Sequence, residues 1–165
     1  MRPFLLAALI ALAACDSMPT ENAGAGAAAQ APRLGSAVRD EADLLLPAQE
    51  ARLTEIMHAA ERRTHHQLGI ATVTSLAGQD VDAYSLAFAE RWALGRRGHD
   101  DGVMLLVAPN ERKMRIEVGR GLEGVLTDEI CAAILRDEVA PPFEKGDFAR
   151  GIAAGVQAIL ARLDP

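Results

Sequence analysis

The chain has 165 residues, half of them hydrophobic, with 23 acidic against 17 basic side chains and a formal net charge of −6. That balance disfavours a nucleic-acid partner and any electrostatic attraction to anionic lipid heads. The length allows one domain with a substantial core, and two cysteines are too few for a disulfide scaffold.

Arg2 and the apolar run from Pro3 to Ala14, ending in small residues, have the layout of a secretory signal, predicted over residues 1–14. The run is too short for a membrane span, which needs about 20 apolar residues. Leu12-Ala13-Ala14-Cys15 resembles the lipobox of bacterial lipoproteins, where the signal is cut before the cysteine and that cysteine is acylated. The resemblance implies lipidation, palmitate included, at Cys15, and a protein of the bacterial cell envelope that faces the periplasm. Acyl chains on Cys15 would anchor it stably without a span. Cys131 would then be the one remaining thiol, and its apolar neighbours Ile130, Ala132 and Ile134 mark it as a buried, inert residue.

Residues 15–35 are rich in Ala, Gly and Pro and read as a lipid-anchored flexible linker. Residues 36–165 form the domain. Pro47 suits a first helical turn, followed by Leu53, Ile56, Met57 and Ala60 at helical spacing. Residues 68–73 read as a buried strand. Asp80 can cap a helix that carries Val81, Tyr84, Phe88 and Trp92 on one face. Residues 102–107 form a second apolar strand. A turn through Pro109 and Asn110 joins it to residues 113–118, which alternate as a strand with one wet face. Thr127 caps a helix predicted to run to Val139 and to stop at Pro141-Pro142. Asp147 caps a last helix with Phe148, Ile152, Val156, Ile159 and Leu163 inward. The expected fold is α/β, a three-layer α/β/α sandwich with a small mixed sheet that includes a β-hairpin.

Two glycine patterns invite other readings. Gly119-Arg120-Gly121-Leu122-Glu123-Gly124 spells the dinucleotide fingerprint. It follows a half-wet hairpin strand, however, and the next helix opens only after Thr127. No nucleotide cofactor is expected, and the glycines are read as tight-loop residues at positive φ. Gly151 and Gly155 are read as a helix packed closely on the sheet.

The strings Val38-Arg39-Asp40, Trp92-Ala93-Leu94-Gly95, Asp100-Asp101-Gly102-Val103 and Arg115 to Gly124 occur in that order. Leu126-Thr127-Asp128, Pro142-Phe143, Gly146-Asp147-Phe148 and Gly151 follow. Together they resemble the TPM domain, a family of bacterial envelope and thylakoid-lumen proteins, over about residues 36 to 163. Asp101 stands where relatives usually carry Asn. Many bacterial relatives add a C-terminal membrane span, a role that lipid on Cys15 would take here.

Family members are described as weak acid phosphatases, as divalent-metal binders and as assembly or repair factors for membrane complexes. The resemblance therefore implies a membrane-protein partner or a weak metal-dependent acid phosphatase. The residues that fit Ca²⁺ or Mg²⁺ are Asp40, Asp43, Asp100, Asp101 and Asp128, because hard cations take several carboxylate oxygens. Asp128 also suits a helix N-terminus, and Asp100 and Asp101 also suit a turn. Arg120 is the expected anion binder. No catalytic residue is assigned, since the chain lacks the Asp-x-Asp, Arg-His-Gly and Cys-x5-Arg phosphatase signatures.

Overall fold

Residues Gly102–Ala108 form strand β3, and every one of them is buried. A strand apolar on both faces has to lie within a sheet covered on both sides. The computed structural model describes residues 37–164; the predicted signal, Cys15 and the linker lie outside the described residues. β1 (Val38–Asp40), β2 (Gln67–Thr72), β3 and β4 (Lys113–Val118) make a four-stranded sheet in that order. β1, β2 and β3 are parallel, and β4 pairs antiparallel with β3, Val103 opposite Val118. The mixed sheet and its hairpin are those expected.

Helix α1 (Pro47–Thr64) packs Leu53 and Met57 on one face of the sheet, against Ile70 and Leu105. The last helix, α5 (Phe148–Leu163), lies on the same face, with Ile152, Val156 and Ile159 in that cluster. Helix α2 (Val81–Trp92) covers the opposite face, with Phe88 and Trp92 against Ala71, Met104 and Leu106. Three layers result. Both parallel crossovers step the same way across the sheet, yet their helices lie on opposite faces, so they have opposite hands. Such crossovers are right-handed in about 98% of cases, and one of this pair is therefore of the rare kind. None of the described helices is long and apolar enough to cross a membrane.

The predicted caps are formed. Pro47 opens α1, the Asp80 carboxylate accepts from the Asp82 amide at 2.9 Å, and Thr127 caps α3 (Asp128–Ile134). Asp147 accepts from Arg150 at 3.1 Å at the start of α5 (Phe148–Leu163). One expectation fails. Pro141-Pro142 do not end the helix, which continues from α3 through a π turn (Leu135–Val139) into α4 (Ala140–Glu144). In that turn the Ala140 N–H reaches back to the Leu135 carbonyl. The added residue widens the turn, and the prolines fall in the first turn of α4, where a missing N–H costs little.

Gly151 and Gly155 bring α5 against this segment as well as onto the sheet. A Cβ at Gly151 would lie 2.5 Å from the Phe143 ring and 2.8 Å from the Val139 carbonyl oxygen. At Gly155 it would lie 2.7 Å from Val139 Cγ2 and 3.3 Å from Leu105 Cδ2. Gly151→Val should therefore destabilise the domain by about 1–3 kcal/mol through overpacking, read as a lower urea midpoint. Cys131 is buried, as expected; burial first, and the Asp128 carboxylate second, push its thiol up to about 11. Iodoacetamide at neutral pH should label it only along the unfolding curve.

Candidate functional site

The conspicuous polar cluster lies at the edge where the chain enters β3 and leaves β4. Helix α2 ends on Ala93 in the left-handed conformation, and Gly95 follows at φ +93. The Leu94–Gly95 backbone then lies against Gly102, where a Cβ would meet Leu94 and Gly95 atoms at 2.6–2.7 Å. Gln67, at the start of β2, accepts from the Gly95 amide at 2.8 Å and donates its own N–H to the Asp101 carbonyl at 3.2 Å.

Asp101 is 3% exposed. Burial raises its carboxyl, but the Arg96 amide and guanidinium, both at 2.6 Å, outweigh it and hold the group below the ordinary carboxylate value. His66 follows the C-cap of α1 and places Nδ1 3.9 Å from the same carboxylate. That nitrogen is buried without a hydrogen-bond partner. Asp100 stands at φ 49 with its side chain exposed, and its carbonyl accepts the Gly121 amide at 3.0 Å.

The 119–124 glycines are explained differently from expectation. None of the three has positive φ. Gly119 and Gly121 are required by close approach, since a Cβ on them would collide with the Asp100 and His99 carbonyl oxygens. Residues 119–122 act as a strap across the 95–101 loop, with Arg120–Leu122 in a 3₁₀ turn. Arg120 is exposed and has no ion-pair partner among the described residues. A groove of about 420 Å³ between α2 and β4 is lined by Glu90, Asp100, Glu117 and Arg120.

The structure splits the five candidate ligands. Asp40 closes β1 at the opposite, carboxyl end of the parallel strands, in register with Thr72 and, through it, with Val107. Asp101, just before Gly102, lies six residues back from Val107, so the two are about 20 Å apart along the strands. The Asp40 carboxylate accepts from the Leu44 and Leu45 amides at 3.1 and 2.8 Å and from the Thr72 hydroxyl. Asp43 sits in that turn at φ 53. Asp128 is exposed in the first turn of α3, on the rim of a second groove beside β4. Among the described residues, no three carboxylate, imidazole or thiolate groups stand together as a cation cradle. The five candidate aspartates therefore do not converge on one centre. Ser85 and Cys131 are buried in the core.

The sequence analysis did not single out Arg96 as the partner of Asp101. A basic residue five positions before a loop aspartate, with Gly98 between, was the available signal.

Asp101→Asn tests the clamp. A carboxyl held below its ordinary value contributes stability above about pH 4 and loses it as pH falls through the depressed value. The variant should lose about 1 kcal/mol at pH 7, moderated by the exposure of Arg96. As pH falls through that depressed value, its urea midpoint should converge on that of the parent.

Comparison with known proteins follows this geometry. A model of the TPM domain matches residues 38–162. Among solved structures, the N-terminal domain of a Porphyromonas gingivalis protein ("P.gingivalis") is 31% identical, with a TM-score of 0.73, over 78% of this chain and 82% of its own. The BA42 protein of the psychrophilic bacterium Bizionia argentinensis is 18% identical, with a TM-score of 0.63, over 72% and 81%. The N-terminal domain of a Corynebacterium glutamicum protein is 15% identical, with a TM-score of 0.62, over 81% and 84%. The latter two share the fold. No curated protein matches the chain.

Proposed function

Because this chain belongs to the TPM domain family, we propose that it is an accessory module of the bacterial cell envelope, tethered by lipid on Cys15 and facing the periplasm, which assists the assembly or repair of membrane proteins. The observation that carries this is where the acidic groups are engaged. Asp40 and Asp101 accept hydrogen bonds that hold loops in place, while Asp100 and Arg120 line an open groove. A surface of opposed exposed charges suits recognition of a partner. Calcium or magnesium stands in this reading as a ligand to be titrated against Asp100 and Asp128, with no chemical step assigned to it.

One observation favours a weak metal-dependent acid phosphatase instead: a guanidinium and a carboxylate share that groove. Hydrolysis of a phosphomonoester in the presence of magnesium, abolished by Arg120→Ala in a folded variant, would favour it over the accessory role.

Cell fractionation tests the anchor. Cys15→Ser should move the protein from the membrane to the soluble periplasmic fraction, and any partner co-purified in detergent should be lost with it. Continued membrane attachment of Cys15→Ser would overturn the tether.

A further inference from the structure

The sheet has two edges, and they are not alike. β1 is three residues long, whereas β4 has six and ends the sheet on the other side. Gly119 donates to Gly102, which sets the alternation of the antiparallel ladder. Glu117, Arg115 and Lys113 bond to β3, while Met114, Ile116 and Val118 turn their N–H and C=O groups outward. Among the described residues no backbone hydrogen bond from another element reaches those outward groups. Edge strands are commonly blunted by proline, a bulge, shortness or charged side chains, and of these β4 carries only the charges of Lys113, Arg115 and Glu117. β4 contains no proline, and its register with β3 is unbroken.

A groove of about 490 Å³ runs beside this edge, with residues 115–118 on one side and residues 126–129 on the other. Its charges are one-sided. Glu117, Glu123, Asp128 and Glu129 line it, against Arg115 alone. Arg115 is already engaged, with Nη1 3.1 Å from Asp82 and Nε 3.6 Å from Glu117. Glu117 keeps one buried carboxylate oxygen without a hydrogen-bond donor.

We propose that β4 is a docking edge for an extended, basic segment of a partner protein. The segment would add as a fifth strand on the backbone of Met114, Ile116 and Val118. Its lysine or arginine side chains, at alternate positions, would lie against Glu123, Asp128 and Glu129. Strand addition draws affinity from main-chain hydrogen bonds and specificity from alternate side chains. A second copy of this chain is a poorer occupant, because it would bring its own acidic groove to this one. The proposal deepens the accessory role and rests on it only for the existence of a partner.

The test uses the full chain in mild detergent and two labelled synthetic peptides, one alternating lysine with valine and one alternating glutamate with valine. The lysine peptide should bind saturably by fluorescence anisotropy and shift the amide resonances of Met114, Ile116 and Val118; the glutamate peptide should not. Val118→Pro removes an outward N–H without touching the β3 ladder, and Glu123→Lys/Glu129→Lys reverses the wall. Each should weaken binding at least about tenfold with the circular dichroism spectrum retained. Equal binding of both peptides, shifts confined to other residues, or unchanged affinity in both folded variants would overturn the proposal. So would a concentration-dependent dimer that Val118→Pro abolishes in the absence of peptide binding. None of these outcomes bears on the Cys15 anchor, which fractionation tests separately.

Discussion

A buried carboxylate must be supplied with donors if it is to stay ionised, and the loop before β3 is built around supplying them to Asp101. Arg96 provides two, one from the backbone and one from the guanidinium. Bringing Arg96 back over Asp101 requires left-handed backbone at Ala93, Gly95 and Gly98. It also requires residues without a Cβ at Gly102, Gly119 and Gly121, where chain segments touch. The glycine-rich character of this edge is a consequence of one charge held inside the protein.

Much of the fold was legible because its signals are local. A run of apolar residues from Gly102 to Ala108 allows only a doubly covered strand, and Asp80, Thr127 and Asp147 announce helix starts by capping chemistry. What escaped depends on contacts between distant segments. The prolines at 141 and 142 look like a stop because sequence rules assume an α-helical ladder. A single π turn shifts the acceptor by one residue and removes the conflict. The trace of that shift is in the sequence after all. Buried Cys131, Ile134 and Val139 are spaced by three and then five, where a regular helix would give three or four.

The candidate site was legible as a list of residues and not as a geometry. Five aspartates of suitable type were visible, but residue type does not say which end of a strand a carboxylate occupies. Register does: Asp40 closes β1 at its carboxyl end and Asp101 precedes the amino end of β3, so they lie at opposite ends of parallel strands. The strap formed by residues 119–122 was seen as a motif and misread for a related reason. Glycine is needed both for positive φ and for close approach, and only the position of the His99 and Asp100 carbonyls distinguishes the two.

The opposite hands of the two crossovers have a consequence for where a ligand can sit. In doubly wound sheets, a crevice opens at the carboxyl ends of adjacent strands whose following helices leave on opposite faces, and that switch point ordinarily coincides with a reversal of strand order. Here strand order never reverses, yet α1 and α2 diverge above the ends of β1 and β2 all the same. The chain occupies this position itself, through the Asp40 carboxylate, the Thr72 hydroxyl and the Leu44 and Leu45 amides. The usual ligand seat of an open α/β sheet is thus given over to an internal plug, and the proposed docking edge lies away from it, on the flank of the sheet.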